Sequence, residues 1–277
     1  MVGGDRRQIY LAESLVKNGF EVYTCGFEKA VFTVDVKKIP LDELVLKCSV
    51  VILPLPVTND GTTLKAEYSE APILLNDSFA EKMRGKRVFG GMTDRLLKTS
   101  KVWEEVGAAD FSVRDEFAIR NAVPTAEGAL EIAMREYAGT VSGSCCLVAG
   151  FGRVGRTLAR MLYGVGAQVF VAARRPADLA WVESLGYLPV TVQHIGSGEY
   201  NLIFNTIPAM IFNRRVLSEL SGSPVLIDLA SAPGGTDFNA AEKIGIKAIL
   251  APSLPGRVAP KTAGEIIRDT VCRMMGE

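Results

Sequence analysis

Short apolar runs alternate with amphipathic stretches along the whole chain, and its two halves follow the same rule. In the first half, "EVYTCGF" (21–27), "SVVILPLP" (49–56), "KRVFGGM" (86–92) and "ADFSV" (109–113) have the length and β-branched content of buried strands. The stretches at 6–18, 76–84 and 94–106 repeat apolar residues every three or four positions, which predicts helices. In the second half, "CCLVAG", "AQVFVAA", "YNLIFNTI", "PVLIDLA" and "IKAILAP" read as strands, with helices over 153–164, 177–185, 213–220 and 237–244. Strands that alternate with helices pair in parallel, because each crossover returns the chain to the end of the sheet where the previous strand began. The pattern predicts an α/β fold of two doubly wound parallel-sheet domains.

The halves meet in "RNAVPTAEGALEIAMREYAGT" (120–140). Pro124 disfavours helix at Val123 but can open one itself, and apolar residues recur helically from Thr125 to Tyr137. The expected division is 1–122, 123–253 and a tail 254–277, in which "PSLPGRVAP" is a loop and "KTAGEIIRDTVCRMM" a helix packing back on the first domain. The start is unusual. "MVGGDRRQ" (1–8) reads as a strand end, a glycine turn and a helix start, yet only Met1 and Val2 are there to form the strand. Either that strand is clipped or the true start lies upstream.

At 277 residues the chain is long enough for two cores. Lys plus Arg equals Asp plus Glu at 31 each, so no bulk charge points to nucleic acid or to a membrane surface, and anion binding has to be local. No cationic apolar leader opens the chain and no apolar run approaches ~18–20 residues, which makes the cytoplasm the expected location. The five cysteines, Cys25, Cys48, Cys145, Cys146 and Cys272, lack disulfide or metal-ligand spacing; Cys145 and Cys146 read as strand filling. His194 is the only histidine and lies in a polar connection.

Specific chemistry begins at "LVAGFGRVGRTLAR" (147–160). Gly150, Gly152 and Gly155 form G-x-G-x-x-G between an apolar strand and a helix, with Phe151, Arg153 and Val154 as the intervening residues. That context lets backbone N–H groups and a helix N-terminus meet a pyrophosphate, so the second domain reads as a Rossmann-type NAD(P)-binding domain. An NAD site usually ends its second strand in a carboxylate. Here the strand ends in "AARRP" (172–176), and Arg174 and Arg175 suit a 2′-phosphate, favouring NADP with NAD possible. Thr206 and Pro208 of "NTIP" fall where such folds place the nicotinamide. Asp228 lies near the same edge, either as a catalytic group or as a buried acceptor of backbone amides.

In the first domain, Asp5, Arg7, Gln8, Thr58 and Arg114 stand at predicted strand ends, where open α/β sheets bind ligands, and together suggest a pocket for a small polar anion. The stretches "GGDRRQ", "ILPLPVT", "RDEFAIRNAVPTAEG", "NTIP", "IDLASAPGGTDF" and "APSLPGRVAPKTAG" resemble the A subunit of dipicolinate synthase from spore-forming bacteria, over nearly the whole chain. The resemblance implies oxidation of dihydrodipicolinate, a small dianion from a branch of the lysine pathway, to pyridine-2,6-dicarboxylate with NADP as hydride acceptor. It also implies, as partner, a flavoprotein-like B subunit, and the mother-cell cytoplasm during sporulation; a homo-oligomer is compatible with it. Candidates for a base are Asp5, Glu127, Asp228 and Lys261, and for carboxylate clamps Arg7, Arg114 and Lys261. Two other readings compete. "PGRVAPKT" echoes methylenetetrahydrofolate dehydrogenases, although neither Tyr10 nor Tyr68 has the lysine four residues on that they carry. The other is a non-catalytic NADP-binding regulatory subunit.

Overall fold

The computed structural model describes residues Met1–Glu277. The chain divides into two compact units, Met1–Asn121 with Ala259–Glu277, and Ala122–Val258.

The first unit carries α1 (Arg6–Lys17), β1 (Tyr23–Thr24), β2 (Lys37–Lys38), α2 (Leu41–Lys47), β3 (Val50–Ile52), α3 (Asp77–Glu81), β4 (Arg87–Gly90), α4 (Asp94–Leu97), α5 (Trp103–Val106) and β5 (Ala109–Asp110). β1 pairs in parallel with β2, and β3, β4 and β5 form a second parallel ladder. Met1 and Val2 lie between the two. Cys25 N donates to Met1 O at 3.0 Å, Gly3 N to Cys25 O at 2.9 Å, and Val2 N to Ile52 O at 3.1 Å. Two residues thus stand in for a first strand, and counting them the spatial order is 3-2-1-4-5-6.

These strands are shorter than the apolar runs predict. Pro54 and Pro56 have no N–H for a ladder, so the 49–56 run stops at Ile52. The 109–113 run turns into a 3-10 turn at Phe111, where Asp110 accepts Ser112 N at 2.7 Å. The single helix expected over 94–106 is two short ones, because Ser100 Oγ takes the amide of Val102 at 3.1 Å and offers the backbone another partner. The exposed pair Lys37–Lys38 gives no apolar signal, and β2 is absent from the pattern.

α6 (Asp115–Glu136) begins in the first unit and ends in the second. It does not open at Pro124 but runs through it. Ala122, Ala126, Ala129, Ile132 and Ala133 are buried along one face, and that packing outweighs the backbone bond Pro124 cannot donate. The second unit continues with β6 (Cys145–Ala149), α7 (Arg153–Gly164), β7 (Gln168–Ala173), α8 (Pro176–Ser184), β8 (Leu188–Thr191), β9 (Leu202–Asn205), α9 (Arg214–Glu219), β10 (Val225–Asp228), α10 (Phe238–Ile244), β11 (Lys247–Leu250) and α11 (Leu254–Val258). Its six strands are parallel in the order β11-β10-β9-β6-β7-β8, the Rossmann winding. β6 and β9, near the centre, are buried along nearly their whole length, which is why they read as unbroken apolar runs.

The expected tail splits. Residues 254–258 form a helical turn, not a loop, and stay with the second unit: Gly128 has no side chain, so Leu254 and Val258 pack close to α6 there. α12 (Pro260–Gly276) belongs to the first unit. A Cβ on Gly264 would come within 2.5 Å of Arg7 O and 2.9 Å of Leu11 N, and Arg268 bonds Ser14, so α12 lies parallel to α1 with both N-termini at one end. Ala263, Ile266, Ile267 and Val271 seal that contact; burying each of the larger side chains stabilises by about 1.5–3 kcal/mol.

Candidate functional site

In the second unit, the order in which strands are added to the sheet reverses between the parallel neighbours β6 and β9, and the loops leaving these strands border a cleft of about 330 Å³. Gly150, Phe151, Gly152, Ala172 to Arg175, Asp178, Val192 and Thr206 to Pro208 surround it. The three glycines serve different ends. Gly150 has φ +107°, and a Cβ there would collide with Thr206 Oγ1. A Cβ on Gly155 would sit on the carbonyl oxygen of Gly150, so this glycine lets α7 press against β6. Around Gly152 nothing lies within 4 Å of where a Cβ would be. Gly152 is also the N-cap of α7 and supplies no side-chain cap, leaving the first turn of the helix presented to a ligand. Space beside a bare helix N-terminus is what a pyrophosphate needs, so the residues present fit a dinucleotide.

Electrostatics at the end of β7 are cationic. Arg174 and Arg175 are exposed, and Arg174 makes no ion pair. Arg175 is held by Asp178, Nε to Oδ2 and Nη2 to Oδ1 at 2.8 Å each. Arg156 stacks 4.6 Å above the Phe151 ring, donates from Nε to Phe151 O at 3.0 Å, and brings Nη2 to 3.7 Å from Asp178. The hydrogen bond from Arg175, then the charges of Arg175 and Arg156, hold the Asp178 carboxyl below its ordinary range. Neither Asp178 nor Arg156 stands out in the sequence. Asp178 sits at i+3 from Arg175, a spacing that could have flagged it.

On the other side of the cleft, Thr206 Oγ1 donates to Ala149 O at 2.8 Å, tying the "NTIP" loop to β6. Asp228 is fully buried and does not line the cleft. It accepts from Asn205 Nδ2 at 3.1 Å, Ala230 N at 2.9 Å and Gly235 N at 3.2 Å. With both oxygens taken by N–H donors, Asp228 is a buttress for two loops, and its setting does not suit it to be a base. Glu127 lies exposed on α6.

In the first unit, Asp5, Arg7 and Gln8 form one buried cluster. Asp5 caps α1, accepting Arg7 N at 3.0 Å, while its own N donates to Gln8 Oε1 at 3.0 Å. Arg7 returns along the same carboxylate, Nη2 to Oδ2 at 2.6 Å, and also donates to the Leu55 carbonyl. Lys65 reaches Asp5 Oδ2 at 2.7 Å from 60 residues away. Burial would raise the Asp5 pKa, but hydrogen bonds and charge from Arg7, then Lys65, outweigh it and hold it at about 2. Asp5 and Arg7 are therefore committed to each other, which does not suit Asp5 to accept a proton or Arg7 to clamp a carboxylate. Gln8 is fully buried and its Nε2 has no partner.

The remaining candidates scatter. Thr58 Oγ1 bonds Asp60 at 3.1 Å and accepts Gly61 N at 2.9 Å, stabilising its own turn. Arg114 pairs with Glu116 at 3.0 Å and Glu277 at 2.7 Å on the surface, anchoring the end of α12. Lys261, in the first turn of α12, is exposed and makes no ion pair; neither does Arg6 in the first turn of α1. The helix turns Arg7 inward and leaves Arg6 outside, a distinction adjacent letters do not show. His194 is exposed beside Thr191. Cys146 is buried in β6, with its thiol pushed up to about 11 by burial.

A six-stranded Rossmann sheet with a glycine cradle at its switch point defines a nicotinamide-dinucleotide-binding unit of the dehydrogenase type. A transhydrogenase from Sinorhizobium meliloti shares the fold, with a TM-score of 0.65 at 15% identity over 96% of this chain and 87% of that one. Residues 1–105 match the family model of the N-terminal domain of the dipicolinate synthase A subunit. The A subunit of dipicolinate synthase from Bacillus subtilis (strain 168) is 35% identical over 286 residues, spanning 100% of this chain and 95% of the relative. The crystal structure of the A subunit from Bacillus halodurans superposes with a TM-score of 0.90 at 33% identity, over 100% of this chain and 96% of that one. The chain belongs to the family of dipicolinate synthase A subunits. That membership, with the dehydrogenase-like fold, supports an oxidoreductase role. No helix is long and apolar enough to cross a membrane.

Proposed function

We propose that the chain oxidises dihydrodipicolinate to dipicolinate with NADP as acceptor, in concert with a flavoprotein-like B subunit, during spore formation in the mother-cell cytoplasm. The observation that carries the reading is the cradle at Gly152, open and uncapped, beside a β7 end that bears Arg174 and Arg175 in place of a carboxylate. The bound dinucleotide supplies a nicotinamide ring that accepts one hydride from the substrate. Gly152 and the first turn of α7 would hold its pyrophosphate, and Arg174 its 2′-phosphate. Thr206 and Pro208 would border its nicotinamide end, on a loop kept rigid by Asn205 and Asp228.

Aromatisation removes one hydride and one proton from the substrate ring and is downhill, so the chain's main task is to orient the dianion. Lys261 and Arg6 are the cations offered for its carboxylates: neither is spent on a pair, and each lies in the first turn of one of two parallel helices whose positive ends coincide. Arg7 and Lys65, spent on Asp5, would hold α1 in place for that purpose. With Asp228 sealed by amides and Asp5 by two cations, the proton would leave to water or to an exposed group such as Glu127.

Turnover tests the reading. Purified chain, NADP and freshly generated dihydrodipicolinate should yield reduced nicotinamide and dipicolinate in equal amounts, above the uncatalysed rate, alone or on addition of the B subunit. No turnover in either condition would leave the non-catalytic dinucleotide-binding reading standing instead.

A further inference from the structure

The cleft of the second unit contains one carboxylate, and it is placed where it competes with the ligand. Asp178 engages Arg175 through the Nε–Nη2 edge of the guanidinium, two bonds of 2.8 Å each. A phosphate that takes Arg175 bidentately through the same edge has to displace Asp178, and one that takes the Nη1–Nη2 end shares Nη2 with the carboxylate and meets its negative charge. We propose that Asp178 is a built-in competitor for the cofactor's 2′-phosphate, and that the exchange of Arg175 between them sets how strongly NADP is preferred over NAD. The inference rests on the NADP reading above.

Three features make the exchange workable. Arg174 makes no ion pair and gives an incoming phosphate its first contact. Arg175 has a side chain 75% exposed, so it can swing without disturbing the core, whereas Asp178 is only 13% exposed and stays. When Arg175 leaves, the carboxylate is not abandoned: Arg156, fixed on Phe151, already stands 3.7 Å away. Removing Asp178 therefore frees Arg175 and removes a negative charge close to the phosphate. Both effects strengthen binding of the 2′-phosphate and leave the rest of the dinucleotide untouched.

The test compares ADP-ribose with 2′-phospho-ADP-ribose, which differ only in that phosphate, by titration calorimetry at low ionic strength on the full chain. Wild-type protein should bind the phosphorylated ligand more tightly. Asp178→Asn should tighten it further by about fivefold or more while moving ADP-ribose by less than about twofold, and Asp178→Ser should do the same. Unchanged ADP-ribose affinity reports an intact fold. If either variant then leaves 2′-phospho-ADP-ribose unchanged or weakens it, the competitor role is overturned. If wild-type protein already binds both ligands equally, the NADP reading itself fails and the inference falls with it.

Discussion

Gly152 and Gly155 are three residues apart in one motif, yet the structure separates their jobs. A methyl group on Gly155 would run into the Gly150 carbonyl, a backbone atom that cannot step aside, so Gly155→Ala is expected to cost about 1–3 kcal/mol of stability. A methyl group on Gly152 meets no protein atom and would occupy the space offered to the pyrophosphate. Gly152→Ala should keep the melting temperature of the wild type and lose dinucleotide affinity by about tenfold or more. Thermal melts and NADPH titration on the two variants check this; equal destabilisation of both would contradict the assignment. The motif is legible in the sequence because its requirements are local, a turn and a helix start within six residues. Lys65 is not, since its partner lies 60 residues away and only the folded chain brings them to 2.7 Å.

At the scale of the element, α1 depends on its cap. Asp5 is paired with Arg7 and Lys65, and its folded pKa of about 2 lies below the ordinary 3.8. A carboxylate whose folded value is depressed stabilises the fold above its unfolded value, and that contribution is lost as pH falls from about 4 towards 2. The gap corresponds to about 2 kcal/mol at neutral pH. Denaturant unfolding of the wild type and Asp5→Asn should show that difference at neutral pH and see it shrink through this acid window. A difference that persists at about pH 2 would mean that packing, not ionisation, is what Asn disturbs. The five strands and four helices expected of the second unit form close to where the sequence pattern puts them, because buried central strands and amphipathic helices carry strong periodicity, whereas the edge strand β8, half exposed, is not legible. The first unit is less legible. Its strands are two to four residues long, are interrupted by Pro54 and Pro56, and are completed by Met1 and Val2, so that backbone pairing and not side-chain pattern defines them.

Across the whole molecule, two units with similar winding carry different groups: one an open glycine cradle at a bare helix N-terminus, the other exposed cations at the shared end of two parallel helices. The sequence places the cradle at a strand end and marks the glycines, Arg174 and, in the C-terminal tail, Lys261 as candidates. It does not tell a cation spent inside the fold, such as Arg7, from one left exposed, such as Arg6, because that depends on which helix face meets the sheet. On the proposed function, a hydride passes from the substrate ring to the dinucleotide. Dihydrodipicolinate deuterated at its saturated ring carbons tests it directly, with the reduced cofactor examined by mass spectrometry after turnover by the chain and its partner subunit. One deuterium in the nicotinamide ring, matched by one dipicolinate formed, is the expected result. Dipicolinate formed with the cofactor still oxidised and free of deuterium would contradict the account.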